Sequence, residues 1–264
     1  MFRRCLAGVV LATVASSSAN AGAWTQKKKR AQVIVKAERM RAQQGFDPDG
    51  VRRPLPAERR DDALSGFAEY GLTDRLTLQL KGDWQAGEDA FVDYEGRGPL
   101  QAGLVWQVWR NDAGAISLQG SYARGGEGRN AGYAAPGVGD DEVEVRVAGG
   151  WSFGAERPAS RWRAWLTPRN TFVELQLARR MRNGLPDETR MDLTLGRHFG
   201  ERWMVLNQVY AGQTDRRGSR WVQNETSVVR HAGAWSLQAG WRTTTSGREA
   251  PASSGPMIGV WRRF

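Results

Sequence analysis

Charged residues stand at alternate positions in several segments: Lys81 and Asp83, then Glu142, Glu144 and Arg146, then Arg190 and Asp192. Glu69, Glu174 and Arg242 hold comparable places elsewhere. Neighbouring carboxylates can divide acid and base roles, as in aspartyl-type proteolysis, when their surroundings push their proton affinities apart. Here cations are interleaved with the acids, and opposite charges on adjoining strands stabilise one another inside a polar lumen. An ion-paired lining is therefore the expected chemistry, and its mixed signs argue against a pore selective for a single charge. The two histidines, His198 and His231, are the other candidates. A lipid-modifying enzyme needs a serine or second polar partner within reach of its base. The stretch "GRHFGER" around His198 offers none. Both histidines are expected at the membrane boundary beside turns, and no catalytic residue is expected.

Metal sites are equally sparse. "FDPDG" at 46–50 supplies Asp47 and Asp49 but lacks the later ligands of a calcium loop, including its distal glutamate. The acidic stretch "GEDAFVDYEG", with Glu88, Asp89, Asp93 and Glu95, reads as a solvated loop ahead of a divalent-ion bridge to lipopolysaccharide. No metal and no cofactor are expected. Cys5 is the only cysteine. It lies in a 21-residue opening, "MFRRCLAGVVLATVASSSANA", which combines two arginines, a short apolar run and the small-x-small sequence Ala19-Asn20-Ala21. That run is too short to span a bilayer as a helix. Residues 1–21 are expected to be a cleaved secretory signal, leaving 22–264 as one domain without disulfides.

The elements that would position the charges repeat with period two, the strand period. In "RLTLQLKGDWQ", Leu76, Leu78, Leu80 and Trp84 face one way while Thr77, Gln79, Lys81 and Asp83 face the other. "AISLQGSY", "EVEVRVAGGW", "RMDLTLGRHF" and "AWSLQAGW" alternate likewise. Twelve strands are expected, at 30–42, 62–72, 75–86, 98–110, 114–124, 141–153, 170–182, 188–199, 202–213, 220–231, 234–244 and 256–264. A soluble sandwich also alternates. It gives no reason, however, for connections that alternate between tight ("TD", "NDAG", "GE", "AG") and long (43–61, 87–97, 125–140). Nor does it explain Tyr70, Trp84, Trp106, Trp109, Tyr122, Trp151, Trp203, Trp235 and Trp241 gathering at strand ends, where interfacial girdles belong. The fold expected is all-β: a transmembrane antiparallel up-and-down barrel with short periplasmic turns and longer outer loops. The stretch 153–170 is long where a short turn is expected, and it reads equally as an extension of the seventh strand or as an interfacial element.

The ending "SGPMIGVWRRF" alternates Ile258 and Val260 and stops on Phe264. It resembles the assembly signal of bacterial outer-membrane barrels, which implies recognition by the barrel-insertion machinery as an edge strand. Arg262 departs from the apolar residue usual at that place. "FAEYGLTDRLTLQLKGDW", in which Tyr70-Gly71-Leu72-Thr73-Asp74-Arg75 closes a turn, resembles a hairpin of outer-membrane transporters associated with meta-pathway phenol degradation. The formal net charge is +10. Its excess falls on the expected periplasmic side: Lys27 to Arg30, Arg157, Arg161, Arg163, Arg169, Arg197, Arg202, Arg230, Arg262 and Arg263. Nucleic acid would suit such a surface, but lipid-facing strands make anionic headgroups of outer-membrane lipids the expected partner. The function these features imply is a channel or transporter component for small solutes. The alternatives are a structural or surface-attachment barrel without an open pore and, behind it, a lipid-modifying enzyme.

Overall fold

A computed structural model describes residues 22–91, 93–126, 141–153 and 171–264, and among them every regular element is a strand or a turn. The strands are β1 (Ala31–Phe46), β2 (Arg52–Gly71), β3 (Leu76–Glu88), β4 (Asp93–Arg97), β5 (Leu100–Arg110), β6 (Gly114–Arg124) and β7 (Asp141–Phe153). They continue with β8 (Thr171–Arg182), β9 (Glu188–Phe199), β10 (Trp203–Thr214), β11 (Arg220–Ala232), β12 (Trp235–Arg248), β13 (Ala250–Pro251) and β14 (Ser254–Arg263). β4 and β5 both pair with β3, and β13 and β14 both pair with β1, so each couple is one interrupted wall strand and the barrel has 12. All neighbours are antiparallel. β1 closes the ring, with Val35 opposite Gly66 of β2 on one side and Val260 of β14 on the other. Closure leaves no edge whose backbone groups lipid would strand.

Alternation decides which face meets which medium, and here it is inverted relative to a soluble sheet. In β7, Glu142, Glu144 and Arg146 are buried while Val143, Val145 and Val147 are exposed. Likewise Gln119 and Ser121 of β6 point in, and Leu118 and Tyr122 point out. A polar interior inside an apolar belt is stable only when hydrocarbon surrounds the belt. The girdle residues Tyr70, Trp84, Trp106, Trp109, Tyr122, Trp151, Trp203, Trp235 and Trp241 all lie on the outer surface.

The turns at the end where β1 begins and β14 ends are short because local chemistry closes them. The Asn111 side chain accepts the N–H groups of Ala113 (3.0 Å) and Gly114 (2.7 Å). Gly200 (φ 63) and Gly233 (φ 61) supply the left-handed backbone that an L side chain resists. Two expected loops are largely strand instead. β1 and β2 run on as a hairpin to Phe46 and Arg52, past a register shift at Ala42/Gln44, so 43–61 holds only a five-residue turn. The stretch 87–97 likewise contains the end of β3 and all of β4. The β2 extension escapes a period-two pattern because its two faces are largely exposed over Arg52–Glu58, so polarity does not alternate. Asp47 caps the first turn, accepting Asp49 N–H (3.0 Å) and Val51 N–H (2.8 Å) and pairing with Arg53 (3.2 Å), which gives the "FDPDG" acid a structural use. Residues 1–21, 127–140 and 154–170, and the readings placed on them, lie outside the described residues.

Candidate functional site

The barrel encloses a cavity of about 560 Å³ whose lining includes Lys36, Lys81, Asp83, Arg146, Arg190 and Arg242. Of the residues singled out from sequence, Lys81, Asp83, Glu142, Arg146, Arg190, Asp192 and Arg242 line it. Glu69, Glu144 and Glu174 are also inward and buried. Lys36, Glu38, Arg180, Arg182, Glu188 and Glu225 belong to the same inner face and were not singled out. Their strand parity was available to find them.

Two ion networks organise this face. On one wall Arg146 reaches Glu144 (2.9 Å), Asp192 (2.5 Å) and the Gln176 side chain (2.5 Å). Arg180 reaches Glu144 (3.2 Å) and Glu142 (3.4 Å), while Arg182 (3.5 Å) and Arg190 (3.2 Å) meet Glu188. Facing it, Lys36 binds Glu38 (3.0 Å) and Glu225 (3.0 Å), and Arg242 binds Glu38 (2.8 Å) and Glu225 (2.5 Å). These partners come from β1, β11 and β12, with β14 between β1 and β12. They meet across β14 because Gly255, opposite Arg242, and Gly259, opposite Lys36, present no side chain there. Lys81 differs. Among the described residues it enters no ion pair, and its ammonium stands 5.5 Å from the centre of the Phe67 ring.

Below the cavity the lumen changes character. The segment preceding β1 crosses the mouth at the short-turn end. Ala23 N–H donates to Glu174 (2.8 Å), and Gln107 donates to the Ala23 carbonyl (3.0 Å). Further along, at β2, β3 and the turn between them, Gln26 N–H reaches the Thr77 hydroxyl (2.9 Å), the Gln26 amide reaches Glu69 (3.0 Å), and Thr25 reaches the Asp74 carbonyl (3.0 Å). Trp24 sits edge-on to Phe172 with centroids 6.3 Å apart, beside a cluster of Phe172, Met204, Leu206, Val229 and Trp261. His198 and His231 belong to this layer, stacked at 6.0 Å and flanked by Phe172 and Trp261. They lie beside the turns as expected and point into the lumen there, since in β9 and β11 they share the parity of Thr194 and Ser227, which are buried. His231 Nδ1 contacts the Ser236 hydroxyl (2.8 Å) and Arg263 (3.1 Å), so a serine does stand within reach of one of the two histidines.

At the outer surface of the same end, arginines cover aromatic rings: Arg230 over Trp203 (5.6 Å), Arg197 over Phe199 (5.3 Å), and Arg262 over Trp235 (4.4 Å) and Phe264 (5.3 Å). Lys27, Lys28, Lys29 and Arg30 are exposed beside them. The last residue is tied to the first strand, with Phe264 N–H donating to the Ala31 carbonyl at 2.9 Å.

No protein-family model matches the sequence, and no curated protein resembles it in sequence. Solved structures do resemble it in fold. An outer membrane channel from Pseudomonas putida F1 aligns over 92% of this chain and 98% of its own with a TM-score of 0.67 at 12% identity. The KdgM porin aligns over 88% and 99% with a TM-score of 0.54 at 9% identity. The translocator domain of the autotransporter NalP from Neisseria meningitidis aligns over 92% and 91% with a TM-score of 0.53 at 10% identity. The shared property is the closed outer-membrane barrel. A channel, a porin and a translocator domain all use it, so function must be read from the lumen.

Proposed function

We propose that this chain is an outer-membrane channel or transporter component for small solutes. One observation carries the reading: a cavity lined by charged and amide side chains lies inside a wall whose outer face is apolar. Charges at membrane depth need one another or water, and this lumen offers both ion-paired walls and, at Lys81, a cation left to the cavity. The likeness of residues 67–84 to a hairpin of transporters associated with phenol degradation supports the barrel more than any particular solute. The same reading includes removal of residues 1–21 on export, contact of the Arg and Trp belt with anionic lipid, and recognition of Ile258, Val260 and Phe264 by the insertion machinery.

The crossing segment at the periplasmic mouth favours a second reading, a sealed structural barrel. Liposome swelling separates the two. Proteoliposomes holding the mature chain should swell in small sugars, and a chain lacking residues 22–26 should swell faster. Absence of swelling with both chains would leave the structural barrel as the account.

A further inference from the structure

Glu174 is 0% exposed. Among the described residues its carboxylate meets no Lys or Arg side chain; it receives Ala23 N–H at 2.8 Å, the Gly22 N–H and the Gln176 amide. Gln176 is held to that orientation because its oxygen accepts from Arg146 at 2.5 Å. The Ser117 hydroxyl donates to the Gly22 carbonyl, and Gln107 donates to the Ala23 carbonyl at 3.0 Å. Side chains of β5, β6 and β8 thus grip two small residues at the far end of the crossing segment. Glu38, Glu144, Glu188 and Glu225 each face a cation. Glu174 touches only amide donors, with Arg146 acting on it from beyond ion-pair distance, and a buried carboxylate without a cation in contact is costly to keep charged.

Cleavage after Ala21 changes the chemistry of one atom in this corner: the Gly22 nitrogen passes from a neutral amide to an α-ammonium. We propose that Glu174 is the seat for that α-ammonium, so that removal of the export signal itself locks Gly22–Gln26 across the periplasmic mouth. The inference rests on the cleavage reading given above. An uncut chain has no charge at this nitrogen and cannot form the pair.

Amine acylation tests it. An unpaired α-amine, with a pKa of about 7.7–8.0, is partly free base at pH 7.5 and reacts. One held as ammonium against a buried carboxylate does not. Mature protein purified from outer membranes, and its Glu174→Gln variant, would be treated with an amine-reactive reagent and mapped by mass spectrometry. The exposed Lys27, Lys28 and Lys29 serve as internal reference. The amide oxygen introduced by the substitution would still accept the backbone N–H groups, so loss of charge alone is being read. The expected result is Gly22 acylation faster by on the order of tenfold in the variant, with lysine rates unchanged. Equal Gly22 rates would overturn the pairing while leaving the cleavage reading intact. A mature terminus other than Gly22 would overturn the cleavage reading and the pair with it. Should the variant not assemble, chains refolded with and without Ser-Ala ahead of Gly22 give the same comparison: about tenfold faster acylation of the extended terminus is expected, and equal rates would overturn the pairing.

Discussion

Single charges in this lumen are not equivalent, because some belong to networks and one does not. Lys81 has no carboxylate partner among the described residues, so Lys81→Glu should move ion selectivity toward cations, read as a reversal potential, with assembly near normal. Asp192→Lys instead removes a partner from Arg146 and sets two cations together. Breaking a buried pair costs about 3–5 kcal/mol, so the heat-modifiable folded band should fall sharply. On the outer face Val145→Arg should cost roughly 2–4 kcal/mol near the bilayer midplane, seen in refolding titrations. Asp47, in the outer turn, shows a different dependence. Val51 N–H, with Arg53 and Asp49 N–H assisting, holds its carboxyl below the usual carboxylate range. A depressed folded pKa gives stabilisation that is present above the ordinary value and lost as pH falls through the lowered one. Amide exchange at Val51, corrected for intrinsic rate, should therefore rise in acid for the native turn and stay flat for Asp47→Asn.

At the scale of elements, glycines make the space that the crossing segment fills. A Cβ on Gly150 would come within 2.3 Å of the Trp24 ring, and one on Gly71 within 2.1 Å of the Lys27 carbonyl. Gly150→Ala should displace Trp24 and raise conductance without loss of barrel, checked by single-channel recording beside the heat-modifiable band. These relations also mark what sequence could and could not convey. Wherever one strand face meets lipid and the other the lumen, as from Leu76 to Trp84 or Asp141 to Trp151, alternation places the strand and its inward charges closely. Where β2 has both faces largely exposed, over Arg52–Glu58, polarity carries no period and the strand reads as a loop. Partnerships across β14 depend on barrel stagger and on glycines at 255 and 259, neither of which leaves a local pattern. The segment 22–26 has no periodicity at all, and its role follows only from which side chains the closed wall brings around it.

For the whole molecule, closure joins the first and last strands at one seam, β1 against β14, with Phe264 the final rung. If the insertion machinery reads that strand, deletion of Phe264 should lower assembled protein and raise periplasmic degradation at unchanged synthesis. Immunoblots of fractionated cells would show this, and wild-type assembly would remove the terminal residue from the signal. The central claim concerns the lumen itself: that its charged cavity is a conduction path, narrowed at the periplasmic mouth by residues 22–26. Single-channel conductance in planar bilayers addresses it directly, with the mature chain and the chain lacking 22–26 recorded in the same salt. The account predicts discrete steps from both, larger from the shortened chain. A bilayer that stays silent with both, while each protein is verified as folded and inserted, would contradict it.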